Sequence, residues 1–195
     1  MPEGSPEKLL SYIHQGKARW GRADGQQVVD LSTPAYPTLR SALASGKLDD
    51  IVKVAAIQGA KATLSEIEFL PVIPDPAKIF CVGHNYEAHR VETQRDKTEH
   101  PLLFLRVAES QTGHLQPILL PPESSHTDYE GEIAVIIGEA GRRIKREQAW
   151  EHVAGYSAQN ERPVRAWPRD TLKCTPRRNC SAPGRRGHGG GQARE

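Results

Sequence analysis

The sequence predicts an α+β protein made of two units, and three observations support this. Short apolar runs with a period of two, typical of strands, alternate with short helical patterns along the chain. A cluster of prolines (Pro71, Pro74 and Pro76) separates residues 1–71 from residues 76–179. Hydrophobic residues make up 37% and charged residues 26% of 195 residues, which is ordinary for a globular protein. We therefore expect a small α+β unit before the prolines and a β-rich unit after them.

The first unit is predicted to begin with three strands. Residues 9–13 alternate moderately, and residues 17–22 and 27–31 flank Asp24-Gly25. Because Asp-Gly supplies the positive φ angles of a tight turn, this pair indicates a β-hairpin. A further strand is expected at residues 67–70.

Two helices are predicted between these strands. Thr38 has the side chain of an N-cap for a helix that ends at residue 44, and Gly46 suits the residue after its C-cap. A second helix is expected at residues 49–58. Its apolar face would comprise Ile51, Val54, Ala55 and Ile57.

The second unit is predicted to consist mainly of strands. A buried strand is expected at residues 78–83, and residues 84–92 read as a loop leading into a short helix capped at Asn85. A helix at residues 146–152 would turn Ala149, Trp150 and Val153 inward. Further strands are expected at residues 102–105, 118–120, 128–138 and 154–160.

Two glutamates separated by a glycine open the strand at residues 128–138. Side chains at i and i+2 of a strand share a face, so Glu130 and Glu132 would lie side by side, and Gly131 would let a ligand or backbone approach. Carboxylates this close repel unless a cation neutralises them, and their oxygens suit Mg²⁺ or Mn²⁺. The alternative is a solvated strand end with two exposed glutamates.

A histidine and a glutamate three residues apart form the second candidate group. On a helix, His89 and Glu92 would lie one above the other. A carboxylate beside an imidazole fixes its tautomer and raises its basicity, as a general base requires. The alternative is a surface pair on a polar helix.

Composition limits the possible class of protein and its cellular compartment. No apolar run approaches the roughly 20 residues that span a bilayer. Cys81, Cys174 and Cys180 fit neither a disulfide framework nor a zinc spacing, so we expect a cytoplasmic protein. Residues 161–195 carry nine Lys/Arg and three Asp/Glu, whereas residues 1–160 carry 17 and 21, so the character of the chain changes near residue 161.

Four segments in order resemble the fumarylacetoacetate hydrolase family, and residues 1–70 resemble the small N-terminal domain of its bacterial members. These segments are residues 79–89 (IFCVGHNYEAH), 101–105 (PLLFL), 128–138 (DYEGEIAVIIG) and 153–160 (VAGYSAQN). The resemblance implies a mixed β-roll or sandwich, usually dimeric, that uses Mg²⁺ or Mn²⁺. The implied substrates are 2-oxo dicarboxylic acids such as acylpyruvates, which the family hydrolyses at a C–C bond, decarboxylates or isomerises.

The resemblance also implies roles for individual residues. Glu130 and Glu132 match two metal ligands, and His89 and Glu92 match the dyad that activates water. Glu161 stands where the family has a third ligand, an aspartate, and Arg178 stands where it has a lysine. The longer Glu161 changes the ligand geometry, and Arg178 keeps a cation for a developing oxyanion.

The resemblance weakens after residue 161 and ends near Asn179, and we expect the catalytic domain to be incomplete at its C-terminus. Residues 180–195 are rich in Gly and Arg and are predicted to be disordered. A reading-frame error or early truncation would explain both features and predicts weak or absent activity. RNA binding by this tail is the alternative, but regular Arg-Gly-Gly repeats and interleaved aromatics are missing, so we do not expect a nucleic-acid partner. Two further alternatives remain: an inactive fragment that pairs with an intact relative, and a non-functional product.

Overall fold

The computed structural model describes residues 7–92, 94–119 and 129–161, with only the backbone for residues 55–58 and 161. The strands are β1 (Leu9–His14), β2 (Lys17–Asp24), β3 (Gln27–Asp30), β4 (Lys61–Thr63), β5 (Glu68–Phe69), β6 (Ile79–Gly83), β7 (Leu102–Arg106), β8 (Glu130–Ile137) and β9 (Val153–Glu161). The α-helices are α1 (Leu39–Ala44), α2 (Leu48–Gln58) and α3 (Glu87–Glu92). Short 3₁₀ helices cover Leu64–Glu66, Ala108–Ser110 and Arg146–His152.

An antiparallel sheet organises the N-terminal part, in the order β4-β3-β2-β1-β5. The predicted hairpin is confirmed, with Asp24 paired to Gln27 and Gly25 at φ +58°. The strand at residues 9–13 is confirmed as β1. The edge strand β4 was not predicted, because three residues are too short to show a period.

Both predicted helices of this part are present. Thr38 is the N-cap of α1 and its Oγ1 accepts a hydrogen bond from the Ser41 backbone N–H at 3.1 Å. Gly46 has φ +67°, as a residue after a C-cap requires. The predicted face of α2 was wrong at Val54, which is 64% exposed whereas Val52 is buried, and the predicted side chains Ala55 and Ile57 lie outside the described part. The helix begins at Leu48, and the spacing Leu48–Ile51–Val52 then sets the face that packs on the core.

The hydrophobic core lies between this sheet and the helices. Trp20 is fully buried, and its indole Nε1–H donates to the Tyr36 carbonyl at 2.9 Å. The indole therefore buries its apolar body while its one donor is satisfied. The buried members of the cluster are Trp20, Val29, Leu31, Leu39, Ala42 and Val52.

The proline-rich segment between the two parts is packed. Val72 and Ile73 pack against the core, and the Ser11 hydroxyl donates to the Val72 carbonyl at 2.8 Å. From the other side, the Gln111 amide donates to the Ile73 carbonyl at 3.2 Å. The rings of Phe69 and His114 meet edge to face, with centroids 5.1 Å apart. The predicted linker is therefore a contact surface for both parts of the chain.

Two separate antiparallel ribbons follow, β6–β7 and β8–β9. The predicted buried strand exists as β6, but Phe80 and Val82 are exposed. The prediction of a strand at residues 118–120 was wrong for Ile118 and Leu119, which lie in irregular chain. Leu120 is outside the described residues. An apolar run alone does not make a strand when no neighbouring strand pairs with it.

The segment Arg146–His152 was predicted as a helix with Trp150 inside. It is a 3₁₀ helix, and Trp150 is 71% exposed. The tighter 3₁₀ spiral rotates side chains to different positions from those of an α-helix, so the predicted inner face does not form. In the part of the chain that is described, no helix is both long and apolar enough to cross a membrane.

Candidate active site

The two central glutamates lie on one face of the β8–β9 ribbon, as predicted. Exposure alternates along β8: Glu130 and Glu132 are half-buried, while Gly131 and Ile133 are exposed on the other face. A Cβ added to Gly131 would meet no atom within 4 Å. Packing therefore does not require glycine at this position, and the backbone between the two glutamates is open.

The antiparallel register brings two more polar residues to the same end of the ribbon. Glu132 pairs with Gln159, and the backbone of Glu161 pairs with Glu130. Directly opposite residues in an antiparallel pair share a face, with Cβ atoms about 4.5–5.5 Å apart. The backbone of Glu161 therefore lies opposite that of Glu130, and the role of Glu161 as a metal ligand stays a prediction.

Asn160 fixes the end of this ribbon, a role that the sequence did not indicate. Its side-chain Oδ1 accepts a hydrogen bond from the Glu130 backbone N–H at 3.2 Å. The bond crosses between the strands at the position where the pairing ends. Only the strand register places Asn160 beside Glu130, so no local sequence signal could have revealed the contact.

The histidine and glutamate of the second group lie on α3, one turn apart as predicted. The His89 Nδ1 and Glu92 Oε2 atoms are 4.0 Å apart, which is an ion-pair distance and longer than a hydrogen bond. Glu92 is largely exposed. The helix begins at Glu87 rather than directly after Asn85, because residues 84–86 form the turn that leaves β6.

A neighbouring ion pair occupies the other side of α3. The Arg90 guanidinium donates to Glu87 at 2.5 and 3.3 Å, and also to the Arg95 carbonyl at 2.8 Å. Hydrogen bonding and charge from Arg90 lower the pKa of the Glu87 carboxyl below its usual value. Arg90 therefore connects the chain after α3 to the helix and forms an ion pair with Glu87.

The turn between β6 and α3 has an unusual backbone. His84 has φ +54°, in the left-handed region that few non-glycine residues adopt. It directly follows Gly83, the last residue of β6. This turn redirects the chain from the strand into the helix that carries His89.

The structure brings together some of the predicted site residues but not all. Glu130 and Glu132 share a face, and His89 and Glu92 share a helix. Among the described residues, no three His, Cys, Asp or Glu side chains converge as a metal site would require. The side chain of Glu161 and the whole of Arg178 lie outside that description.

Known proteins resemble this chain in sequence and in fold. The family model described as fumarylacetoacetate (FAA) hydrolase C-terminal matches residues 78–183, more than half of the chain. The chain belongs to the fumarylacetoacetate hydrolase family. This confirms the resemblance seen in the sequence, and the matched region contains both candidate groups.

Curated relatives of this family include named enzymes. The chain is 35% identical over 156 residues to an oxaloacetate tautomerase, mitochondrial, of Xenopus laevis, covering 74% of this chain and 47% of the relative. It is 42% identical over 103 residues to the oxaloacetate tautomerase YisK of Bacillus subtilis, covering 51% and 34%. The chain thus spans about half the length, or less, of the curated relatives it matches.

Solved structures share the fold. A fumarylacetoacetate hydrolase from Exiguobacterium antarcticum aligns with a TM-score of 0.70 at 26% identity, covering 89% of this chain and 62% of that one. A maleylpyruvate hydrolase from Sphingobium, solved with manganese(II) and pyruvate, aligns with a TM-score of 0.65 at 24% identity, covering 82% and 60%. These alignments confirm the predicted α+β fold of the family.

Proposed function

We propose that this protein takes part in keto–enol interconversion of a small 2-oxo dicarboxylic acid of the oxaloacetate type. The observation that carries the proposal is the register of β8–β9. It sets Glu130 and Glu132 on one face and pairs Glu130 with the backbone of Glu161. Relatives named as oxaloacetate tautomerases, which align with up to 74% of the chain, supply the substrate class.

The donor set suits a hard divalent cation, with Glu130, Glu132 and Glu161 as its ligands. Carboxylate oxygens are the preferred ligands of Mg²⁺ and Mn²⁺, and two of these residues are already on one half-buried face. When bound, such a cation polarises a 2-oxo acid and favours its enolate form. Mn²⁺ is the metal to try first, since a protein of the same fold was solved with manganese(II).

The dyad on α3 is proposed to move the proton. His89 Nε2 would take a proton from the carbon next to the keto group, the C–C bond there would become the enol double bond, and Nε2 would then deliver the same proton to the keto oxygen. Atoms and electrons balance without any other reactant. Glu92 would orient the imidazole through Nδ1, and the 4.0 Å separation would shorten when a substrate is bound.

Hydrolysis of a C–C bond in an acylpyruvate is the second candidate. The same His89–Glu92 geometry suits deprotonation of a water molecule, which would attack the distal carbonyl. Arg178 would then stabilise the developing oxyanion. Hydrolysis consumes water and releases two acids, whereas tautomerisation releases nothing, so product analysis by NMR separates these two candidates.

A homodimer is part of the proposal. Ile133 and Val135 on β8 and Tyr156 on β9 are exposed on the ribbon face opposite the glutamates. Apolar surface of this kind is stabilised when a second molecule covers it. Sedimentation of the full chain at several concentrations tests this part independently of any activity.

The decisive experiment is the thermal melt of the full chain with and without MnCl₂. Mn²⁺ at about 100 times its Kd is expected to add about 2.7 kcal/mol to the free energy of unfolding. Glu132→Ala should abolish this stabilisation because it removes a ligand from the shared face. Glu139→Ala, which removes an exposed carboxylate just beyond β8, should keep it. Equal stabilisation in both variants would contradict a metal site at Glu132.

A further inference from the structure

Gln159 holds a position that the metal proposal does not use. It pairs directly with Glu132 across the β8–β9 ribbon and is half-buried on the same face. The residue before it, Ala158, is exposed on the opposite face. The amide of Gln159 therefore shares its side of the ribbon with the two glutamates.

The spacing puts that amide within reach of a carboxylate. Opposite Cβ atoms lie about 4.5–5.5 Å apart, and neighbours along one face lie about 6.8 Å apart, twice the rise per residue. Both Gln159 and Glu132 are long side chains, so their ends can meet across the ribbon. Glu130 is the more distant diagonal neighbour.

The chemistry of the face decides which end of the amide is used. Ionised carboxylates only accept hydrogen bonds, whereas a glutamine amide offers two N–H donors and one oxygen. Two ionised carboxylates attract the N–H end of the amide and repel its oxygen end. A neutral donor also lets two carboxylates remain ionised near each other without adding a further charge.

We propose that Gln159 is a positioning residue for Glu132. When a divalent cation is bound, the Gln159 amide N–H would donate to one oxygen of the Glu132 carboxylate and so fix the direction in which the other oxygen faces the cation. The inference rests on the proposed metal site and assigns a role to a residue that does not itself bind the metal. Groups that hydrogen-bond to a metal ligand typically change metal affinity by about 10- to 100-fold when they are removed.

The test measures Mn²⁺ affinity of the full chain by electron paramagnetic resonance, together with the melt of the metal-free chain. Gln159→Leu, which keeps the bulk and loses the donor, should weaken Mn²⁺ binding at least about tenfold and leave the metal-free melt unchanged. Gln159→Asn, which keeps the amide, should recover part of the affinity. The matched control Ala158→Gln puts the same amide on the opposite face and should bind Mn²⁺ as the wild type does.

The outcomes separate this inference from the site on which it rests. Wild-type affinity in Gln159→Leu, with binding lost in Glu132→Ala, would overturn the role of Gln159 and leave the metal site standing. Absence of Mn²⁺ binding in the wild type would overturn both. If Gln159→Leu lowers the melting temperature of the metal-free chain, the Mn²⁺ affinity of Gln159→Val is the test instead. Valine favours strands and has no hydrogen-bond donor. Wild-type affinity in that variant would also overturn the inference.

Discussion

The two parts of this molecule differ in where their apolar side chains lie. In the part of the chain that the structure describes, all nine buried hydrophobic residues fall between Tyr12 and Ala62, in the N-terminal sheet, its helices and the chain that joins them. Of the eighteen large hydrophobic residues that are exposed among the described side chains, seventeen follow Ile79. Buried side chains of the second part, within the described residues, are polar: Arg106 and Ser110.

A strand sequence therefore specifies a face and not its burial. The N-terminal sheet has helices α1 and α2 against it, so its apolar face is covered. The ribbons β6–β7 and β8–β9 also carry apolar side chains, yet Phe80, Leu105 and Val135 remain exposed. Stability in the first part therefore comes from hydrophobic burial, and in the second part local hydrogen bonds contribute more.

The largest expected effect tests this contrast directly. Trp20→Ala should lower the free energy of unfolding by about 3–5 kcal/mol, because it empties a fully buried site and removes the indole donor from the Tyr36 carbonyl, which keeps the Thr33 N–H. Leu105→Ala, at a half-exposed position of β7, should cost less than about 1 kcal/mol. Urea unfolding followed by far-ultraviolet circular dichroism measures both. Equal losses would mean that the ribbon is covered as well as the core.

A smaller effect is expected from the buried arginine of the second part. The Arg106 guanidinium donates to the Ser110 hydroxyl at 3.1 Å and to its carbonyl at 2.9 Å. Arg106→Met should cost about 1.5–3 kcal/mol, since it removes charged donors from the buried Ser110 carbonyl and from the Ser110 hydroxyl, which keeps its bond to the Val107 carbonyl. Hydrogen exchange of the amides of β7 and of the 3₁₀ helix after it reports this loss.

Arg142 provides the matched control for that experiment. It is an exposed arginine in the turn after β8. Arg142→Met should leave exchange in the same peptides unchanged. Fast exchange in both variants would show that loss of charge, and not of the Ser110 contacts, weakens the region.

A pH dependence of stability is also expected, and it is confined to the N-terminal core. Burial, followed by the charge of Asp30, raises the pKa of Tyr12 from 10.0 to about 12. The neutral phenol is therefore favoured in the folded state, so its stabilisation is complete below pH 10 and is lost as the pH rises to 12. The loss should be of the order of 2 kcal/mol.

Comparison of the wild type with Tyr12→Phe isolates this contribution. The variant has no phenol to titrate, so its stability should fall less steeply than that of the wild type between pH 10 and 12. Urea unfolding at four pH values across this range measures the difference. Parallel curves would contradict a raised pKa for Tyr12.

Local signals in the sequence predicted most elements but not their orientation. Asp24-Gly25 and Thr38 fix a turn and a helix start through their own backbone and side chains, so both predictions were confirmed. Val54 and Trp150 were predicted inside and are exposed, because an inner face depends on what packs against the element. The same reason explains why Phe80 is exposed in a strand that was predicted to be buried.

By itself, the sequence determined that Glu130 and Glu132 share a face, because a strand repeats every two residues. It also determined the family, through segments whose order and spacing are retained. The pairing of Gln159 with Glu132, and of the Glu161 backbone with Glu130, arises only in the folded chain. That arrangement depends on the register of two strands separated by fifteen residues of chain. A shift of one residue would move every side chain of one strand to the other face.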